Sequence, residues 1–519
     1  MGDRKVLQEG FLWGVSSSAF QFEMGDRYRR FIDTRSDWWS WVRDPKNISE
    51  GRVSGDLPED GVDYAELYKR DHELAQRLGL KIYRISVEWS RIFPCPTSSV
   101  EVDVERDSLG LISSVKIGED QLRELDGIAN NYYVDFYRRI ISDLRSRGFK
   151  VIVNLHHFTT PIWLHDPLAV RDRGAQGGPL GIASEDFVVE FAKYAAYVAW
   201  KLGDLVDMWS TFNEPLVNVE LGFLAPWAGF PPGILDPEAA RRAFSNIVVA
   251  HARAYDQIKK WDRVKADTGS RGAAEVGIIH NIIPAYPLGE GDEESADYYD
   301  YFHNRYILEA VTRGAYDGDM DGEPDGRQGH LAGRLDWFGL NYYTRVVTRR
   351  SEQKYSELPV VRFEGVSGYG YSCVPNGVSK ASRPCSDFGW ELYPEGLLKA
   401  IEVASDYGRP IYVTENGVAD VRDVLRPYYI VSHVAAVEKK ASEGADVRAY
   451  MHWALTDNYE WASGFRLKFG LYEVDLITKD RIPRKSVEVY KNIVASNGLN
   501  GELVENYLKA FHLRESLGV

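Results

Sequence analysis

Apolar positions in this chain follow two patterns that take turns. Longer stretches carry them at helical spacing with charges between, and each is followed by a short run that is apolar almost throughout and ends in polar residues. Over 64–80, Tyr64, Leu67, Tyr68, Leu74, Ala75 and Leu78 fall near one helical face, Gly79 closes the stretch, and Ile-Tyr-Arg-Ile-Ser-Val-Glu-Trp follows at 82–89 as a strand. The same unit recurs with helices predicted over 132–147, 187–202, 239–261, 297–311, 394–404 and 428–441. The strands that follow them are predicted at 151–158, 209–215, 276–281, 337–343, 411–417 and 447–453. A first apolar strand starting at Phe11 turns into small and polar residues, with Gln21 and Glu23 just beyond it.

About eight strand–helix units in strict alternation predict an α/β chain folded as a closed (β/α)8 TIM barrel rather than an open sheet. No Pro/Gly/Ser-rich linker divides the sequence, so 1–519 is read as a single domain. Three stretches depart from the period. Residues 98–124 are charged and irregular, and are read as an inserted loop or short hairpin at the surface. A long loop follows Tyr343, and a tail begins at about 497. Such barrels carry their sites at the C-terminal ends of the strands. The polar residues noted above all fall there.

Composition narrows the partners. Sixty-two Lys and Arg against 77 Asp and Glu leave a formal charge of −15, which argues against a nucleic-acid backbone or an anionic membrane as partner. The opening Met-Gly-Asp-Arg-Lys is followed by no apolar run of signal-peptide form, and nowhere do eighteen apolar residues run uninterrupted, so a cytoplasmic location is expected. Cys95, Cys373 and Cys385 are too scattered for a disulfide scaffold or a zinc site, and each reads as a buried or loop thiol. Asp317-Gly-Asp319-Met-Asp321-Gly322 copies the first half of a calcium loop, but the twelfth position, which needs a bidentate Glu, is Gln328. A solvated acidic loop is the preferred reading.

Two strands end in a carboxylate. Ile-Tyr-Val-Thr-Glu415-Asn-Gly and Trp-Ser-Thr-Phe-Asn213-Glu214-Pro each deliver a Glu from a β-rich run to a loop, where an acid is costly unless paired or chemically employed. Two carboxyl groups facing one another in a barrel mouth suit glycoside hydrolysis, one attacking the anomeric carbon and the other protonating the departing oxygen. A gap of about 5 Å gives retention and a wider one inversion. Arg84, inside its strand, is a partner that keeps one carboxylate ionised. The 14 Trp and 31 Tyr suit sugar stacking as well as core packing.

These stretches resemble the motifs of family 1 β-glycosidases. Thr-Phe-Asn-Glu-Pro at 211–215, Val-Thr-Glu-Asn-Gly at 413–417 and the run at 11–25 carry the likeness. So do Glu-Trp-Ser-Arg-Ile-Phe-Pro from Glu88, Asn-Tyr-Tyr from Asn341 and Asn-Tyr-Glu-Trp-Ala-Ser-Gly-Phe from Asn458. The insertion after Pro94 and the tail after Ser496 resemble the thermophilic archaeal branch. The resemblance implies a retaining exo-β-glycosidase acting on β-linked oligosaccharides or glycosides, with Glu415 as nucleophile and Glu214 as general acid and then base. It implies a sugar cradle of Gln21, His157, Asn213, Tyr343, Trp453, Glu460 and Trp461, no cofactor, no metal, and a homo-oligomer, possibly a tetramer. His156 is left out, because an alternating strand points it away from His157. Relatives acting on 6-phosphorylated sugars carry Ser, Lys and Tyr where this chain has Glu460, Leu467 and Phe469, so an unmodified glucoside or galactoside is expected. Trp390 and Phe158 are assigned to the leaving-group side, with Phe158 in place of a commoner Trp. A transglycosylase of the same family and a non-catalytic sugar-binding barrel are the alternatives, the second disfavoured because both carboxylates are present.

Overall fold

Eight parallel strands close into a barrel in the computed structural model, which describes residues 7–267 and 269–508. They are β1 (Leu12–Ser16), β2 (Ile82–Ser86), β3 (Lys150–His156), β4 (Met208–Asn213), β5 (Glu275–Asn281), β6 (Trp337–Asn341), β7 (Ile411–Asn416) and β8 (Val447–His452). Each pairs with its sequence neighbours, and β8 pairs with β1 to close the ring. The helices that return the chain are α1 (Tyr64–Arg77), α2 (Asn131–Ser146), α3 (Asp186–Leu202), α4 (Pro237–Trp261), α5 (Tyr306–Arg313), α6 (Glu395–Ser405), α7 (Arg426–Ser442) and α8 (Ser486–Ser496). The expected (β/α)8 architecture is what forms.

The barrel floor is a layer of inward side chains: Ile82, Ile152, Met208, Ile279, Trp337, Tyr412, Ala449 and Met451. Above it the lining turns polar. Arg84, two residues after Ile82, shares its inward face by the two-residue period of a strand. On β3 and β4 that period breaks. Asn154 Nδ2 donates to the His156 carbonyl and Ser210 Oγ to the Phe212 carbonyl, each two residues on. His156 and Phe212 then turn outward onto Phe187 and Phe191 of α3, and the residues after them, His157 and Asn213, enter the barrel mouth. The β4–β5 register shifts between Ser210 and Asn213, and the β6–β7 register between Leu340 and Asn341, so that Asn341 lies opposite Glu415. Such bulges re-aim side chains beside active sites.

Outside the barrel the structure amends several expectations. The insertion takes the hairpin form of the two expected, with Asp103–Arg106 paired to Ile112–Lys116; what was not expected is that Ile112 and Val115 are buried and that the helix Glu119–Ile128 starts within the stretch 98–124. The long loop after Tyr343 contains two strands, Val346–Arg350 and Phe363–Gly365, which join Ala285–Pro287 in a small sheet. Its two ends are clasped by Arg345, whose Nε and Nη2 donate to Glu391 at 2.8 and 3.0 Å. The helix predicted over 297–311 starts earlier, at Glu293, and passes through a π-helical turn at Asp300–Arg305. Within the tail, Leu503 and Leu508 are buried, and 509–519 lie outside the described residues. Cys95 is exposed, Cys373 half-buried and Cys385 buried, all three free. No described helix is long and apolar enough to cross a membrane.

In the acidic loop, carboxylate oxygens of Asp317, Asp319 and Asp325 lie within 4.8 Å of one another. Asp317 already accepts from the amides of Asp321 and Gly322 and from the Tyr301 hydroxyl. The three carboxylates stand at positions one, three and nine of the calcium-loop count, with Asp321 at position five outside the group.

Candidate active site

A cavity of about 530 Å³ opens at the C-terminal ends of the strands. It is lined by Gln21, His157, Asn213, Glu214, Tyr343, Trp390, Glu415, Trp453, Glu460, Trp461 and Phe469. Every one of these was expected from the sequence. Arg84 lies beneath, fully buried, and reaches the cavity through its partners.

The two glutamates sit in different surroundings. Arg84 Nη2 pairs with Glu415 Oε1, and the Tyr343 hydroxyl donates to Glu415 Oε2 at 2.5 Å. Among the described residues no cation pairs with Glu214. Asn341 Nδ2 donates to Glu214 Oε1 at 2.7 Å and also reaches Asn213 Oδ1 at 3.1 Å, which in turn accepts from Arg84 Nη1 at 2.9 Å. One chain of hydrogen bonds therefore runs Glu415, Arg84, Asn213, Asn341, Glu214. Burial, and then the charge of Glu415, push the Glu214 carboxyl up to about 8, against the lowering pull of Asn341 and Arg84. Glu214 also occupies the left-handed backbone region, with φ of 47°, as do Phe158 at 68° and Trp461 at 46°. Three residues with this backbone line one cavity, the kind of cost that clusters at functional sites.

The residues expected to form the cradle are tied to one another. Gln21 Nε2 donates to Asn458 Oδ1 and to the Tyr459 carbonyl, both at 3.1 Å, and lies 3.4 Å from Glu460 Oε2. Burial and repulsion from Glu415 lift the Glu460 carboxyl to about 8. His157 Nε2 meets Asn213 Nδ2 at 3.3 Å and so accepts, which places its proton on Nδ1, an atom with no partner among the described residues. Burial, with Arg84 nearby, holds that ring neutral. The His157 ring lies parallel to Trp453 and Trp461, 6.2 and 5.9 Å away. Gly417 is required here, since a Cβ on it would lie 2.0 Å from the Trp453 carbonyl oxygen.

Sequence reasoning missed Asn341 as a site residue, although it ends a barrel strand in the same manner as Asn213. It also missed Asn281, Glu220, His303 and Tyr371, which line the same cavity. Asn281 could have been found by the strand-end rule; Glu220 and His303 lie in helical stretches where a polar position reads as a solvated face, and Tyr371 in a loop without a period. Lys468 does not line the cavity, and its Nζ lies 4.0 Å from Asp457.

A family model described as Glycosyl hydrolase family 1 matches residues 3–103 and 125–499. The chain belongs to glycosyl hydrolase family 1. The unmatched stretch, 104–124, covers most of the inserted hairpin. This family 1 chain is 55% identical to a β-galactosidase of Pyrococcus woesei over 97% of its own length and 100% of that protein. Among solved structures it is similar to the β-glycosidase of the hyperthermophile Thermosphaera aggregans. The TM-score there is 0.88 at 45% identity, covering 96% of this chain and 98% of that one. A β-glucosidase mutant derived from a hyperthermophilic tetrameric structure gives 0.83 at 42% identity over 96% and 97%. The family 1 member described here is thus a glycoside hydrolase of β-glycosidase type, and the resemblance to the thermophilic archaeal branch holds.

Proposed function

We propose that this enzyme is a retaining exo-β-glycosidase that removes the non-reducing terminal β-D-glucosyl or β-D-galactosyl residue through a covalent glycosyl-enzyme. The observation that carries the reading is the asymmetry of the two carboxyls. Glu415 is ion-paired with Arg84 and hydrogen-bonded by Tyr343, which suits a nucleophile; Glu214 is buried, raised in pKa and served by a neutral amide, which suits an acid that must hold a proton near neutral pH. Glu214 protonates the departing oxygen and then, as a carboxylate, draws the proton from the water that releases the sugar. Asn213, held by Arg84 and Asn341, is placed for the 2-hydroxyl, whose contact strengthens in the transition state. Gln21, Glu460 and His157 take the remaining hydroxyls, and Trp453 and Trp461 offer apolar ring faces. A carboxyl at 460, the buried apolar Leu467 and a Lys468 drawn to Asp457 provide no phosphate site, which favours an unmodified sugar. The names of the relatives, β-galactosidase and β-glucosidase, agree with either glycone. The reading requires no cofactor or metal, and a homo-oligomer, as a tetramer, is part of it, on the likeness to the tetramer-derived structure.

Glu415→Gly is the test. It is expected to lower turnover of an aryl β-glucoside by roughly 10³-fold or more and to regain it with azide or formate, giving a product of inverted configuration. Near-normal turnover in that variant, or rescue with retained configuration, would remove Glu415 from the role.

A further inference from the structure

Behind Glu415 the end of β7 meets the chain as it leaves β6. The last backbone bond between the two runs from the Tyr342 amide to the Glu415 carbonyl at 3.0 Å. One residue further on, Tyr343 donates its hydroxyl proton to Glu415 Oε2 at 2.5 Å, but its own main chain has no backbone partner among the described residues. The Tyr343 carbonyl accepts instead from the hydroxyl of Tyr429, at 2.9 Å. Tyr429 belongs to the first turn of α7, outside the ring of strands, and is buried.

The same hydroxyl reaches the other neighbour of the Glu415 carboxylate. It accepts from Asn416 Nδ2 at 3.1 Å; that nitrogen also donates to the Tyr342 carbonyl at 2.7 Å, and Asn416 Oδ1 accepts from the Tyr450 hydroxyl at 2.7 Å. One oxygen thus joins the residue that follows Glu415 in the chain to the residue that hydrogen-bonds its carboxylate. The phenol ring is itself fixed. It stacks on His433, one helical turn on, with centroids 3.7 Å apart and planes at 22°, and His433 Nδ1 lies 2.7 Å from the Tyr429 carbonyl. Neither Tyr429 nor Asn416 lines the cavity.

A buried tyrosine needs a partner for its hydroxyl whatever its function. What sets Tyr429 apart is which partner it has: the carbonyl of the residue whose side chain bonds Glu415, at a point where the sheet has let that residue go. We propose that Tyr429 is a positioning residue for attack on the anomeric carbon, acting through Tyr343 to hold the Glu415 carboxylate in line. This rests on Glu415 as the nucleophile. Tyr429 touches no substrate, but a misplacement of about 1 Å at the reacting atoms can cost roughly 10²-fold in rate.

The test is covalent trapping with a dinitrophenyl 2-deoxy-2-fluoro-β-glycoside. A Glu415 oxygen forms the bond to the anomeric carbon as the bond to dinitrophenolate breaks, and that anion leaves without needing an acid. The fraction of sites trapped counts folded, competent molecules, whereas the rate constant reports the attack. In Tyr429→Phe, which keeps the ring and its stack on His433, the rate constant is expected to fall roughly 10–100-fold with the trapped fraction unchanged. Added to Tyr343→Phe, the same substitution is expected to cost less than about 2-fold more, because residues acting through one network are not additive. An unchanged rate constant, a loss confined to the trapped fraction, or the full factor again in the double variant would overturn the role of Tyr429 and leave Glu415 in its own. A label on any residue other than Glu415 in the unaltered enzyme would overturn both.

Discussion

At the scale of single residues, Asn341 has the widest reach for its size. Its amide nitrogen donates to both Glu214 and Asn213, while its oxygen accepts from Thr414 Oγ1 at 2.7 Å, so one neutral side chain joins the proposed acid, the residue proposed for the 2-hydroxyl and the strand that carries Glu415. A hydrogen bond to a carboxylate favours its charged form. Removing Asn341 therefore raises the Glu214 pKa from about 8, and the alkaline limb of the kcat/KM profile, where the acid loses its proton, moves up. For Asn341→Ala a shift of roughly 0.5–1 unit is expected in a pH–rate profile on a substrate with a poor leaving group. An alkaline limb that stays put or moves down would separate Glu214 from the acid role. The carboxylates and the cradle were legible in the sequence because they end apolar runs and carry a recognisable pattern of neighbours. Asn341 was quoted within such a pattern yet left out of the site, since an amide at a strand end carries no charge to draw attention to it.

At the scale of elements, the eight strands were legible because each is an apolar run between an amphipathic helix and a polar loop, a contrast that survives without any partner in view. Their parity was not. Alternation along β3 and β4 places His156 and Phe212 inward with Asn154 and Ser210. The side chains of Asn154 and Ser210, by bonding the backbone two residues on, reverse the order and bring in His157 and Asn213 instead. The decision lies in local hydrogen bonds that periodicity does not encode. The strands within 344–393 escaped for a related reason: they are short, paired to distant Ala285–Pro287, and only that pairing makes them strands. Below the mouth, the floor layer is ordinary core. Trp337 is fully buried among Ile279, Tyr412 and their neighbours, so Trp337→Ala is expected to cost about 3–5 kcal/mol in chemical denaturation. The folded fraction should keep its glycone preference, because the floor touches none of the cradle side chains named above.

At the scale of the whole molecule, the net charge of −15 and the ring of helices say nothing of which face meets another copy. The tetramer expected here is checked by light scattering on the purified protein, with four times the chain mass as the anticipated result and a single-chain mass as the refuting one. The two carboxylates and part of the cavity wall come from different parts of the chain. Glu214 and Glu415 stand on or at the ends of barrel strands, whereas Tyr371, Phe388 and Trp390 come from the segment that leaves the ring after β6 and returns at α6. Arg345 and Glu391 grip each other where that segment departs and comes back. Its two ends are pinned together at one point on the ring. The segment is in effect a cassette: exchanged between relatives at the clasp, it would bring its own Tyr371, Phe388 and Trp390 to the cavity and leave Glu214 and Glu415 in place.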